Sequence, residues 1–213
     1  TGTVTVGMDE LGNHVQVGGV GYLSGDEAGG AFLTRRTFQA VYDELYRVGE
    51  KTSMTKELFE KFDIPSKEDY LAKIVDISMS GKLNRTEIIQ MLFRHANNGD
   101  AVAKSVLSTA GKCMGLSVAG CINNLNFQGT AYVVLAGSVW ANAAAPDMFD
   151  SFKEVIDKNA NAKCEYIVLK VAPACGALVW AMELANGELP DEAMREKILI
   201  NVENYQKTQA GTK

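Results

Sequence analysis

The residues that could do chemistry cluster near the start of the sequence. Gly18-Gly19-Val20-Gly21-Tyr22-Leu23-Ser24-Gly25-Asp26-Glu27-Ala28-Gly29-Gly30 sets two carboxylates in a glycine-rich run. Bare backbone in such a run can offer N–H groups to phosphate, and Thr1-Gly2-Thr3 is a second candidate. Read alone, the glycines serve turn geometry, with phosphate binding as the alternative. Asp26 and Glu27 stand at the expected start of a helix. A cap is the plain reading there, and a carboxylate accepting bonds from substrate hydroxyls is the other. Gly137-Ser138 ends an apolar run, and ligands of open α/β sheets gather at the carboxyl ends of strands.

Other chemistries find little support. His14 and His95 have no serine or cysteine nucleophile signature beside them and read as ordinary residues. Cys113, Cys121, Cys164 and Cys175 form no C-x-x-C pair, so no metal site is expected and the thiols read as reduced, as in a cytoplasmic protein. Net charge over 213 residues is −5 with no basic cluster, which disfavours a nucleic-acid partner. No stretch reads as a membrane span, and Thr1 to Thr5 has no basic-then-apolar leader pattern.

The elements that must position these residues follow from periodicity. Val4, Val6 and Met8 alternate with Thr3, Thr5 and Gly7. His14 to Val17 alternates again after the turn residues Asp9 to Asn13, predicting a hairpin. Leu33, Thr37, Val41, Leu45 and Val48 mark one face of a helix after the glycine run. Residues 49–98 read as a run of short helices, one capped by Ser66 and one from Arg85 to Ala96. Asp100 to about Leu125 is a long helix of small residues, which lets a second helix or a ligand approach its axis. Ala131 to Ala136 suits a strand buried on both faces, followed by a helix over 146–159 and a strand over 165–171. Helices from Pro173 to about Asn186 and from about Pro190 close the chain, the last with a stripe of Met194, Ile198, Val202 and Tyr205. The class is α/β with a mixed sheet, carried as one domain over 1–213.

Three segments, in order, carry a resemblance. Thr1-Gly2-Thr3 enters a hairpin. Gly19-Val20-Gly21 is followed by Gly25-Asp26-Glu27-Ala28-Gly29. Gly137-Ser138-Val139-Trp140 ends a strand. With Asn98-Gly99-Asp100 and Pro173 to Ala177, they resemble the carboxy-terminal half of the BadF/BadG/BcrA/BcrD ATPase family. That family lies within the actin/hexokinase/Hsp70 superfamily, and the nearest branch is N-acetylglucosamine kinase. The resemblance covers residues 1 to about 186 and implies an actin-like (ribonuclease H-like) ATPase domain with a helical insertion at about 49–98. Two departures fall on the sugar side: Val20 stands for tryptophan, and Ala28-Gly29 for glycine-serine.

The resemblance implies ATP with Mg2+ as cofactors and an amino sugar as substrate. Thr1 and Gly2 would hold nucleotide phosphates, and Ala110, Gly137 and Ser138 would line the adenosine. Gly19, Val20, Gly21 and Asp26 would line the sugar. No catalytic base and no metal ligand is expected in this chain. The base and the first phosphate loop belong to the family's amino-terminal domain, expected as a partner and absent before Thr1. A homodimer is compatible with the resemblance. Two other readings stand beside the kinase. One is an activator ATPase of the benzoyl-CoA reductase or 2-hydroxyglutaryl-CoA dehydratase type, against which no cysteine occurs between Thr1 and Lys112. The other is a non-catalytic sugar- or nucleotide-binding sensor.

Overall fold

The computed structural model describes residues 2–81, 83–142 and 146–210; Thr1, a predicted phosphate contact, lies outside them. Where the sequence reading carries one domain, the chain divides into two compact units, residues 1–133 with 143–165, and residues 134–142 with 166–213.

The first unit opens with the predicted hairpin. β1 (Val4–Met8) pairs antiparallel with β2 (His14–Gly18), Val4 opposite Gly18 and Met8 opposite His14. The buried Asp9 builds the turn: Oδ1 accepts from Leu11 N (3.0 Å) and Asn13 N (2.9 Å), and Oδ2 from Asn13 Nδ2 (3.0 Å). Which face turns inward is the reverse of the expectation. Val4, Val6 and Met8 are exposed, and the inward position is Gly7, where a Cβ would lie 2.7 Å from Cys121 Sγ. A glycine lets the strand backbone lie on the helix below, which sends its large apolar neighbours outward.

That helix is α5 (Ala101–Asn123), the core of the unit. Its small residues meet another helix, α7 (Pro146–Asn159). A Cβ on Gly111 would lie 2.1 Å from the Met148 carbonyl oxygen, and one on Gly115 2.7 Å from that of Phe152. Asn123 ties the far end, donating to Asn159 O and accepting from Asn161 N, both at 2.8 Å. In length and mean hydropathy, 1.3, α5 does reach what a membrane span needs, contrary to the sequence reading. Its buried Ala103, Val106, Leu107, Ala110, Val118 and Ile122 make it a core helix here.

α1 (Gly30–Tyr46) buries Leu33, Thr37 and Val41 as predicted but stops at Tyr46. Val48 therefore leaves the stripe: it lies beyond the helix at φ 59° and is 102% exposed. α2 (Met54–Lys61), α3 (Tyr70–Met79) and α4 (Arg85–Asn97) form the predicted short helices. Ser66 caps none of them. Its hydroxyl bonds Asp69 at 2.7 Å in a turn that delays α3 to Tyr70.

One cluster ties α2, α4 and α5. His95 Nδ1 lies 2.6 Å from Ser53 Oγ and Nε2 2.9 Å from Glu57 Oε2, a contact that the sequence reading missed because 42 residues separate Ser53 from His95. The Ser53 hydroxyl donates to Asp100 Oδ2 at 2.6 Å, so its proton is committed to a carboxylate and not to the ring. Asp100 also accepts from Thr52 Oγ1 (2.8 Å) and caps α5 at Ala103 N (2.9 Å). These bonds make the cluster a helix junction.

β3 (Thr130–Leu135) pairs with β4 (Lys163–Val168) as a second two-stranded sheet. The described strands thus form two separate pairs where one mixed sheet was expected, because the hairpin bonds only to itself. β3 is covered on one face only. Ala131, Val133 and Leu135 are buried, while Tyr132 and Val134 are exposed. In the second unit, α6 (Ser138–Asn142) follows β3 at once. α8 (Pro173–Asn186) starts on proline and ends at Gly187, whose φ of 78° suits a helix stop. α9 (Glu192–Ala210) buries Ile198 but leaves Met194 and Tyr205 of its expected stripe exposed.

Gly111→Ala forces α5 and α7 apart, with an expected stability loss of about 3 kcal/mol or more. Gly120→Ala is the control. A Cβ there meets nothing within 4 Å, so it gains about 0.5–1 kcal/mol from helix propensity. Urea denaturation of the two variants gives shifts of opposite sign.

Candidate functional site

The glycine run folds around the carboxylate of Asp26. Oδ1 accepts from Gly19 N (2.8 Å) and Ser24 Oγ (2.9 Å), and Oδ2 from Gly21 N (2.6 Å). Ser24 closes the ring from within, its hydroxyl proton on Asp26 and its backbone N donating to Gly21 O at 3.1 Å. The plain reading of Asp26 as a helix cap is therefore overturned. α1 begins four residues later, with Gly29 at its N-cap position and no side-chain cap bond. The phosphate-cradle alternative also loses ground in this segment, since the N–H groups of Gly19 and Gly21 are spent on Asp26.

At Gly18 and Gly19 nothing larger fits, whereas Gly21 and Gly25 have open space and serve only their positive φ. A Cβ on Gly18 would sit 2.6 Å from Asp26 Oδ1, and Gly18 holds φ 78°. Ala28 breaks this pattern: it is not glycine, yet it holds φ 128° while buried. The family resemblance puts a glycine there, so the substitution is carried as local backbone strain.

The Gly19 N–H first, then the Gly21 N–H and the Ser24 hydroxyl, hold the Asp26 carboxyl below its ordinary 3.8, outweighing the partial burial that opposes them. Glu27 anchors the next residue to α5. Cys113 Sγ donates to Glu27 Oε2 at 3.3 Å, and burial together with that carboxylate pushes the thiol up to about 11. Neither the Ser24 bond nor the Glu27 contact with Cys113 was singled out in the sequence, where Glu27 was named only with Asp26 at the expected helix start. The only signal for the first was proximity, and none exists for a cysteine 86 positions away.

The other predicted residues distribute as follows. Gly2 lies beside Asp26, with its would-be Cβ 3.8 Å from Oδ2. Gly19, Val20 and Gly21 are exposed, with Val20 projecting to solvent. The cleft between Thr3, Val17, Asp26 and Ser117 holds only about 10 Å3, the scale of one water. This face thus encloses no ligand-sized pocket. Ala110 is fully buried inside α5, so it can support a ligand surface but offers no atom to it here. Gly137 (φ 115°) and Ser138 are exposed in the second unit, at the end of β3. The four cysteines are unpaired; Cys121 and Cys175 are buried, the other two half-buried.

Two small sheets among many helices make this a mixed α/β protein. The chain belongs to the BadF/BadG/BcrA/BcrD ATPase family, whose model matches residues 1–181. It is 26% identical over 184 residues to the N-acetylmuramic acid/N-acetylglucosamine kinase of Clostridium acetobutylicum, covering 85% of this chain and 58% of that protein. It is 23% identical over 185 residues to the N-acetyl-D-glucosamine kinase of Dictyostelium discoideum, covering 85% and 57%. The chain spans under three fifths of the length of these curated relatives. Its fold is similar to a solved structure from Chromobacterium violaceum described as a candidate N-acetylglucosamine kinase. The TM-score is 0.51 at 19% identity, over 76% of this chain and 52% of that one.

Because the folded-state pKa of Asp26 is depressed, the ring is stabilised above the ordinary aspartate value and loosens as pH falls through the lower folded value. The amide resonances of Gly19 and Gly21 should be flat from pH 5 to 8, then move together below about pH 4. Asp26→Asn, which turns one acceptor into a donor facing an N–H, should collapse at least one of those shifts at neutral pH. Amides that titrate near neutrality would exclude Asp26 as the group they bond.

Proposed function

We propose that this chain carries the nucleotide- and sugar-binding half of an ATP-dependent kinase that phosphorylates a hydroxyl of an N-acetylated amino sugar. The observation that carries the reading is the Asp26 ring, in a chain of this family. Three acceptor positions of the carboxylate are filled by the loop, which leaves a fourth for a substrate hydroxyl. The charge needed for a strong bond is thereby fixed in place, and the exposed backbone of Gly19 to Gly21 stands beside it for the ring of the sugar.

Gly2, next to Asp26, would bring the phosphates to the same wall as the sugar. Gly137 and Ser138 would take the adenosine, where the absent side chain of an exposed glycine lets a flat base approach the backbone. When bound, ATP with Mg2+ supplies the transferable phosphoryl group and neutralises its charge; no residue of this chain is assigned as a magnesium ligand. This half binds and orients, and the general base and first phosphate loop are assigned to a partner domain that closes over the open wall. Phosphoryl transfer rests on that positioning and on exclusion of water.

The full-length protein, followed by 31P NMR with ATP, should phosphorylate N-acetylglucosamine or N-acetylmuramic acid well above glucose. Asp26→Ala should lower kcat/KM for the sugar about a hundredfold with little change in the KM for ATP, and Ser24→Ala, which keeps the carboxylate, less than about tenfold. ATP hydrolysis that ignores added sugar, or equal loss in the two variants, would overturn the assignment.

A further inference from the structure

The first unit contains a second cavity that the kinase reading does not use. It lies between α1 and α3, closed at one side by the start of α4, and has a volume of about 410 Å3. That is within the roughly 300–1,000 Å3 of small-molecule sites. Phe38 and Ile74 form half-buried apolar walls, with Leu83 at the side.

Two features at this cavity are unexplained by folding. Arg35 and Arg85 both line it, from different helices, and neither has an ion-pair partner among the described residues. The Arg35 guanidinium is set at 5.4 Å over the ring of Phe32, which fixes it at the cavity's edge. Thr34, also in the lining, is 4% exposed, and its Oγ1 has no hydrogen-bond partner. A buried hydroxyl without a partner is costly and rare in native proteins. Two unpaired cations and an unspent hydroxyl around apolar walls make a complementary set for one ligand chemistry.

We propose that this cavity is a binding site for a small organic oxyanion with an apolar body, a carboxylate or a phosphate monoester. The arginines take the head group, Thr34 donates to an oxygen that enters the cleft, and the apolar part lies against Phe38 and Ile74. Guanidinium forks match both head groups, whereas a neutral amphiphile leaves them unpaired. The site is independent of the sugar wall and of the kinase assignment.

The test is a titration of the isotope-labelled full chain with hexanoate, hexyl phosphate, hexan-1-ol and acetate, read by amide shifts and calorimetry. Saturable shifts at residues 31–38, 74–78 and 83–85 are expected from hexanoate or hexyl phosphate, whichever binds tighter naming the head group. Hexan-1-ol and acetate should each bind about tenfold more weakly or worse. The Arg35→Gln/Arg85→Gln variant, altered only at exposed side chains, should lose about tenfold or more in affinity. Thr34→Val should raise the melting temperature of the unliganded protein while weakening the anion, a pairing that a purely structural threonine does not give. Equal binding of hexan-1-ol, shifts outside these segments, or undiminished affinity in the double variant would overturn the proposal.

Discussion

The first unit depends on how closely α7 can approach α5. The Met148 and Phe152 carbonyls stand where side chains of residues 111 and 115 would otherwise be. That contact is made by backbone against backbone, so it tolerates little adjustment. α5 is then fixed as a platform, and the site is assembled on it from two directions. The hairpin lies over its far half through Gly7, against Cys121 and Leu125. The segment after the glycine ring is held through Glu27 on Cys113. Asp26 and the strand end at Gly18 thus reach one place because both are referenced to the same helix.

Much of this architecture was legible in the sequence, because it depends on local signals. The hairpin turn is a matter of Asp9, Gly12 and Asn13. The Asp100 cap and the Pro173-to-Gly187 span are start and stop chemistry. What was not legible depends on contacts across long separations. Alternation in Val4, Val6 and Met8 gives the period of a strand but not its inward face. Gly7 decides that face only because Cys121 lies beneath it. Ala131 to Ala136 has the composition of a strand covered twice, yet in this chain it is covered once. The helix stripe ending at Val48 fails for a local reason: Arg47 ends the helix by bonding Asp43 O, and Gly49 N bonds the same oxygen, turning the chain away.

The candidate site divides in the same way. The glycines and Asp26 could be named from their types and order, and the family resemblance rested on them. Their mechanism could not, since a cap and a loop organiser require the same residue near the same helix start. Only the distances from Gly19 N and Gly21 N separate the two. Ser24 escaped notice because a serine in a turn carries no signal of which carboxylate it will bond.

In the kinase proposed above, Asp26 would have two linked tasks, and the linkage has a cost that Ala28 makes visible. A carboxylate that holds its own loop is charged, oriented and partly desolvated before any ligand arrives, which is the condition for an effective hydroxyl acceptor. The loop must bend sharply to bring Gly19 and Gly21 back onto it, and the chain leaves the ring through residue 28 at φ 128°. Glycine would meet that angle without strain; alanine meets it because Glu27 on one side and the buried start of α1 on the other hold it there. The strain is thus confined between two anchors, and preserving the geometry of Asp26 requires both. Loss of the Glu27 contact would let residue 28 relax toward ordinary φ and draw the carboxylate out of its ring, although nothing in the ring itself had changed.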